Sequence, residues 1–352
     1  MNIAPFISVI LPVRNEEATL PALLSQLCAQ DYPKECFEVL IVDGRSTDRT
    51  RELVQRIADT TDVRISLIDN PKIRSGPGRN CGIHAAKGQY IVFIDGHTYI
   101  PSRTLLADTI KIFQETGAAC LCRPQPLIAK EETFWQSEIA AVRATPLGHG
   151  RGSLIYDMTY TGFVDPASSG ASYAAWVFDQ VGLYDEAFDA CEDVELNVRV
   201  AKAGLQAYTD PRLAIFYEAR KSLSSFSKQL IRYGRGRVRL ARKHPDTFGI
   251  GTAVPLAILG TVLLACIPLL QAIFGRHAVW ALVIPLGLYL SVICFSTLAL
   301  ARKRGLISLP TAPAIYLCLH LSLAFGMIRE LFSEPRATRT GSSCVFSEAD
   351  RT

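Results

Sequence analysis

The chain has 352 residues, enough for one large domain or two ordinary ones. Its formal charge of +4 is too mild to imply a nucleic-acid partner, and no RNA-binding or zinc-finger signature accompanies it. The mean hydropathy is positive, high for a water-soluble protein, so a membrane portion is expected.

The opening "MNIAPFISVILPVRNEE" has no basic start and turns polar after one strand length, so it reads as a first strand rather than a leader. In chain order, "FISVILPV" predicts a strand and "EEATLPALLSQLCAQ" a helix. "FEVLIVDG" predicts the second strand, and "STDRTRELVQRIADT" a helix opened by a Ser/Thr/Asp cap. "VRISLID" and "QYIVFID" follow as strands. Strands alternating with helices over four repeats predict an α/β fold with a mostly parallel sheet and right-handed crossovers. Cysteines are scattered without a CxxC pair; the one CxC, Cys120 and Cys122, reads as buried thiols in a reducing compartment.

Composition changes near Gly249. Three apolar stretches follow, over residues 250–274, 278–300 and 309–328, each long enough for a hydrocarbon core that needs about 20 helical residues. Prolines at 255, 268 and 285 are better tolerated in membrane helices than in soluble ones. The third stretch contains His320 and closes on Arg329, so a re-entrant or interfacial helix is an alternative to a span. The basic "ARKRG" between the second and third stretches belongs in the cytoplasm by the positive-inside rule. The short "GRH" after the first predicts a hairpin of stretches one and two, which places the amino-terminal domain in the cytoplasm as well. The organisation expected is an α/β domain over 1–245, a membrane region over 246–332 and a polar tail over 333–352.

Four polar clusters lie at strand ends or in loops: "PVRNEE", "VDGRSTD", "GPGRNCG" with "IDGHT", and "CEDVELNVRVAKAG" with "SKQLIRYGRGR" behind it. Singly each has a structural explanation. Asp43 and Gly44 suit a turn, Asp48 a helix cap, and Glu192 with Asp193 the amino terminus of a helix, where the macrodipole favours acids. Arg232, Arg235, Arg237 and Arg239 suit a solvated basic face near lipid. The glycines at 76, 78 and 82 have the wrong spacing for GxGxxG, which excludes a dinucleotide loop. In "FIDGHT", Asp95 and His97 alternate at a strand edge and read as metal ligands, an acid/base pair or a turn.

Taken together, the clusters and their order resemble the inverting glycosyltransferases of family 2, over about residues 6–243. "DGHT", "QLIRYGRGR" and the apolar carboxyl-terminal segments are similar to the succinoglycan-type exopolysaccharide glucosyltransferase subgroup. The resemblance implies a GT-A fold, a mostly parallel Rossmann-like sheet with flanking helices, here followed by transmembrane helices. It assigns Pro12, Asn15 and Glu16 to the loop that receives the nucleotide's base and ribose, and Asp43 to a uracil-type base. This chain reads VDGRS where many relatives read VDDGS, so Gly44 and Arg45 depart from the pattern. Arg79 and Asn80 match the loop beside the sugar diphosphate, and Asp95 with His97 occupies the metal motif, for Mn2+ or Mg2+. Asp193, with Glu192 beside it, matches the catalytic base; Gln229, Arg232 and Tyr233 match QxxRW at the acceptor and diphosphate.

The chemistry asks for the same residue types. A leaving diphosphate needs positive charge, an acceptor hydroxyl needs a carboxylate base, and guanidinium groups suit phosphate oxygens. The sequence therefore reads as a transferase in the plasma (inner) membrane, its catalytic domain facing the cytoplasm. It would move a sugar from a UDP-linked donor to a polyprenyl-diphosphate-linked saccharide in surface polysaccharide assembly. A non-catalytic nucleotide-sugar-binding membrane protein and a processive synthase are the competing readings.

Overall fold

A computed structural model describes residues 4–127, 133–149, 154–249, 253, 255–260 and 269–333. They form two compact units. The first holds residues 4–126 and 154–218. Its eight-stranded sheet begins with β3 (Arg64–Asp69), β2 (Phe37–Asp43), β1 (Ile7–Val13) and β4 (Tyr90–Phe93), all parallel. It continues through β8 (Gly170–Ala174), β6 (Cys120–Cys122), β9 (Ala207–Thr209) and β7 (Gly162–Val164). There β8 runs antiparallel to β4 and β6, and β9 lies parallel to β6. A two-stranded antiparallel ribbon pairs β5 (Thr98–Tyr99) with β10 (Phe216–Tyr217).

Of the predicted strands, β1, β2 and β4 are largely buried, and β3 is mostly half-exposed. Alternation along β1 sends Ile7, Val9, Leu11 and Val13 to one core. There they meet Leu20, Leu23, Leu24 and Leu27 of α1 (Leu20–Cys28) and Leu105, Leu106 and Ile110 of α4 (Leu105–Thr116). Ile10 joins Val42, Ile68, Phe93, Tyr173 and Leu196 on the other face. Each fully buried side chain of this size is worth about 1.5–3 kcal/mol. Ser8, buried mid-strand, is satisfied: its Oγ donates to Glu38 Oε1 at 2.7 Å and accepts from Gly88 N. The helix opened by the Ser/Thr/Asp stretch is α2 (Thr50–Ala58), and Asp48 accepts from its first backbone N–H at 3.0 Å. Cys120 and Cys122 are buried free thiols.

The described residues of the second unit are 127, 133–149, 219–249, 253, 255–260 and 269–333. It contains α5 (Phe134–Arg143), α6 (Pro146–His149), α9 (Leu223–Lys243), α10 (Leu269–Arg304) and α11 (Ser308–Leu331). Ile139, Val142, Phe226, Leu230, Ile293, Ile315, Tyr316 and Leu319 share one apolar cluster. Helices α5 and α9, placed by sequence in the α/β domain over 1–245, thus pack with the carboxyl-terminal helices. Among the described residues, two segments are long and apolar enough to cross a membrane, Ile284–Arg304 and Ser308–Leu331. Of the first apolar stretch, 250–274, residues 250–252, 254 and 261–268 lie outside the described residues, as does the tail from 334. The expected hairpin at Gly275–His277 is absent: α10 runs unbroken through those residues. The turn expectation rested on one basic pair and one glycine, and neither stops a helix that is apolar on both sides.

Candidate active site

Beside β1 the strand order reverses, since β1 pairs with β2 on one side and β4 on the other. In an open α/β sheet the carboxyl ends at such a point form the ligand crevice. Pro12 lies near the end of β1, Asp43 ends β2 and Asp95 follows β4, so three predicted groups share this edge. The loop after β1 is stitched to the loop after β2. Asn15 N donates to Ser46 Oγ at 2.9 Å, Thr47 N to Asn15 Oδ1 at 2.8 Å, and Glu16 N to Thr50 Oγ1 at 2.8 Å. Left-handed backbone at non-glycine residues, among those described, occurs at Asn15, Arg45, Ile73 and Cys191. Three of them flank predicted site residues, where such strain tends to be kept for function. Gly44 explains the departure from VDDGS: a Cβ there would stand 2.6 Å from the Ile73 carbonyl oxygen.

Asp95 and His97 do not alternate on a strand. β4 ends at Phe93, and Gly96 and His97 form a turn into β5. The two side chains are gathered by Tyr217 instead. Its hydroxyl donates to Asp95 Oδ2 at 3.0 Å, and its ring meets the imidazole edge to face at 6.3 Å between centroids. His97 Nδ1 lies 3.2 Å from Glu16 Oε1. Gly96 is required by packing: a Cβ would come within 2.9 Å of Val13 and 3.1 Å of Glu16.

Arg79 and Asn80 lie on a helix rather than in a loop, α3 (Ser75–Ala85). Buried Arg79 donates to Glu192 Oε1 at 2.9 Å and to Asp95 Oδ1 at 3.2 Å, with Tyr184 and Phe93 rings 5.4 and 5.9 Å from its guanidinium carbon. Ser75 Oγ also donates to Glu192 Oε1, at 2.5 Å. Glu192 and Asp193 open α8 (Glu192–Lys202), where the helix dipole favours them. Solvent reaches Asp193, and its Oδ1 accepts from Val194 N at 2.8 Å. Crowding by the surrounding protein and the adjacent Glu192 charge raise the Asp193 pKa, with Arg79 opposing. For Asp95 burial also pushes upward, but Arg79, His97 and the Tyr217 hydrogen bond outweigh it and leave the carboxyl below its ordinary value. The two carboxyls are thus shifted in opposite directions.

Asp43 is 1% exposed, and its oxygens accept from Ser46 N and Oγ and from Arg51 Nη1. Asn80 is committed structurally: its amide group donates to Tyr184 O at 2.9 Å and Glu186 Oε1 at 3.3 Å and accepts from Tyr184 N at 2.9 Å. Gln229, Arg232 and Tyr233 lie on α9 of the second unit, where Gln229 Nε2 donates to Tyr233 Oη at 3.0 Å. No group of three or more His, Cys, Asp or Glu side chains could hold a metal among the described residues. Asp95 with His97 fits a cation that takes most of its ligands from substrate phosphates, the usual arrangement for Mg2+, rather than one caged by protein.

Sequence reasoning missed Tyr217, Ser75 and Arg123. Tyr217 is brought to Asp95 by the β5–β10 ribbon, which no local pattern announces. Arg123 is 3% exposed and donates through Nη2 to Phe93 O at 2.6 Å. A lone arginine closing the apolar run that forms β6 was its one available signal.

Residues 8–181 match the family described as Glycosyl transferase family 2. The chain is 31% identical over 242 residues to a dolichyl N-acetyl-alpha-D-glucosaminyl phosphate 3-beta-D-2,3-diacetamido-2,3-dideoxy-beta-D-glucuronosyltransferase of Methanococcus voltae, covering 68% of this chain and 74% of that one. It is 28% identical over 331 residues to the succinoglycan biosynthesis protein ExoA of Rhizobium meliloti (strain 1021), covering 92% and 94% of the two chains. The fold is similar to that of a mannosyltransferase of Pyrobaculum calidifontis, solved with GDP-Man and Mn2+. The TM-score is 0.57 at 19% identity, over 94% of this chain and 90% of that one.

Proposed function

Because this chain belongs to glycosyl transferase family 2, and is an enzyme of that family, we propose that it moves a sugar from a UDP-linked donor to a lipid-linked saccharide, with inversion at the anomeric carbon. The observation that carries the reading is Arg79 donating both to Glu192, beside Asp193, and to Asp95, with the Asp193 pKa raised and the Asp95 pKa lowered. Asp193 takes the proton of the acceptor hydroxyl as its oxygen bonds to the anomeric carbon. The bond from that carbon to the diphosphate breaks on the opposite face, and the electron pair leaves with the nucleoside diphosphate. Asp95 and His97 would hold a divalent cation, Mn2+ or Mg2+, whose charge suits the departing diphosphate. Arg79 fixes Glu192 and Asp95, so the two acidic segments keep their register. Pro12, Asn15, Glu16 and Asp43 receive the nucleoside, and Gln229, Arg232 and Tyr233 serve the acceptor and diphosphate, on the family likeness.

The names of the two relatives, one acting on a dolichyl phosphate sugar and one in succinoglycan biosynthesis, support a lipid-linked acceptor and a role in surface polysaccharide. The two long apolar helices support membrane association. The cytoplasmic face is supported by Arg302, Lys303 and Arg304 at the end of α10. Arg304 pairs with Glu138 of α5 at 3.5 Å, so this basic end lies on the side of α5.

The test is to incubate the full chain in lipid nanodiscs with a panel of nucleotide sugars and extracted lipid acceptors, measuring nucleoside diphosphate release. Release with one UDP-sugar, dependent on acceptor, is expected. Tight donor binding with no turnover for any pair would replace the transferase reading with a non-catalytic one.

A further inference from the structure

Arg123 is 3% exposed and has no part in the steps above. It follows directly on β6, where its backbone N–H donates to Ser169 O at 3.2 Å. The next residues run beside the segment that enters β10. Ile215 N donates to Pro124 O at 3.2 Å and Tyr217 N to Pro126 O at 3.1 Å. Arg123 and Tyr217 therefore reach the end of β4 from two joined segments. Arg123 Nη2 donates to Phe93 O at 2.6 Å, two residues before Asp95. The Tyr217 hydroxyl donates to Asp95 Oδ2 at 3.0 Å, and Asp95 Oδ1 accepts from Arg79 Nη2 at 3.2 Å.

A neutral side chain could make the single bond to Phe93 O. The guanidinium brings a full charge out of water to make it, and its Nε and Nη1 are buried with no hydrogen-bond partner among the described residues. Both features cost stability and call for an explanation. Arg79, also buried, has its charge met directly by Glu192 Oε1 at 2.9 Å. Among the described residues no carboxylate bonds to Arg123 in that way. Its charge reaches Asp95 through space. Burial pushes the Asp95 carboxyl up, and Arg79, His97, the Tyr217 hydroxyl and Arg123 bring it down. Packing at the end of β4 accounts for the one hydrogen bond, and the charge is left for an electrostatic use.

We infer that Arg123 is a fixed cation of the donor site: held behind Asp95 without touching substrate, it offsets part of that carboxylate's charge and favours the negative charge that gathers on the departing diphosphate. It is a positioning residue, acting through its field and through Asp95. The inference rests on the reading that places the donor diphosphate against Asp95 and His97, and adds to it a charge that needs no reorganisation during the reaction. Two consequences follow from the sign of that charge. Nucleoside diphosphate is favoured even with no divalent ion bound. A second cation at Asp95 is disfavoured by the first, so adding Mn2+ gains less donor affinity than it would without Arg123. A residue that only held the end of β4 in place would give the reverse, because its loss would displace Asp95 and reduce the gain from Mn2+.

The experiment measures UDP binding to the full chain in lipid nanodiscs by calorimetry, in EDTA and across a Mn2+ series, for wild type, Arg123→Met and Arg123→Lys. Met keeps an apolar stem and removes the charge; Lys keeps the charge. Arg123→Met should weaken UDP binding in EDTA by about 10-fold, and the ratio of affinities with and without Mn2+ should rise above that of wild type. Arg123→Lys should stay close to wild type in both. An unchanged affinity in EDTA, a ratio that does not rise, or a Lys variant that binds as weakly as Met overturns the inference while leaving the transferase reading intact. Wild type that binds UDP only with Mn2+ overturns it as well. Where Arg123→Met does not fold, Arg123→Lys decides: affinity kept with the charge supports the inference, and affinity lost overturns it. Wild type that binds no UDP in either condition removes the donor reading, and the inference with it.

Discussion

Asp95 and Asp193 carry the same functional group in surroundings that shift it in opposite directions, and the proposed mechanism gives each a different part. A base is useful only when deprotonated, and the raised pKa of Asp193 moves its loss to higher pH than for an ordinary carboxylate. Asp193→Asn should therefore lower turnover at least ~100-fold, the lower bound typical of a lost general base, while UDP binding by calorimetry stays close to wild type. A residual rate above a tenth would remove Asp193 from the role. The same shift has a stability sign. Between the unfolded pKa and the raised folded one, the folded chain holds more protons, so stability falls as pH rises through that window and the cost is complete at neutral pH. Asp193→Asn should melt above wild type at pH 7, and the gain should vanish in acid below the ordinary carboxylate range. His97 belongs to the same scale. With few protein ligands available, His97→Ala should weaken Mn2+-dependent UDP binding by about 10-fold or more. Calorimetry across a Mn2+ series reads it; an unchanged Mn2+ requirement would leave His97 as packing between Glu16 and Tyr217.

Among the elements, α3 shows where sequence reasoning stops. The strands were legible because β1, β2 and β4 are nearly continuous buried runs whose composition suits nothing else. "SGPGRNCGIHA" is rich in glycine and proline, so local propensity reads a loop and misses the helix. Its glycines answer to packing: a Cβ on Gly82 would collide with Ile10, and one on Gly78 would stand 3.0 Å from the Asn70 amide. Tertiary contact outweighs propensity here and brings Arg79 over Phe93 to Glu192 and Asp95. Gly82→Ala should cost about 1–3 kcal/mol by overpacking and also lower turnover, because α3 must shift off β1 and carry Arg79 with it. Thermal melts and steady-state rates measure the two effects; a variant as stable and active as wild type would show that the contact relaxes freely. The Asp95–Tyr217 bond was illegible for another reason, since it depends on a two-stranded ribbon closed between distant segments.

For the whole molecule, the side on which each segment lies no longer depends on a hairpin at Gly275–His277, because α10 passes straight through it. The constraint comes from packing instead. Arg304, Ser308 and Thr311 converge on Glu138, which ties the start of α11 to α5, and Glu330 ties its end to Arg235 and Arg239 of α9. Both ends of α11 are therefore fastened to helices of its own unit. Arg302, Lys303 and Arg304 close α10 where that fastening begins, and their charge places them in the cytoplasm. A single cysteine introduced at Arg302 should react with a membrane-impermeant maleimide from the cytoplasmic side. In sealed right-side-out vesicles it should stay unlabelled until the membrane is permeabilised, whereas inverted vesicles should label it at once. Labelling at Arg302 from outside would overturn the cytoplasmic placement of this basic end and, because Arg304 pairs with Glu138, that of α5 with it.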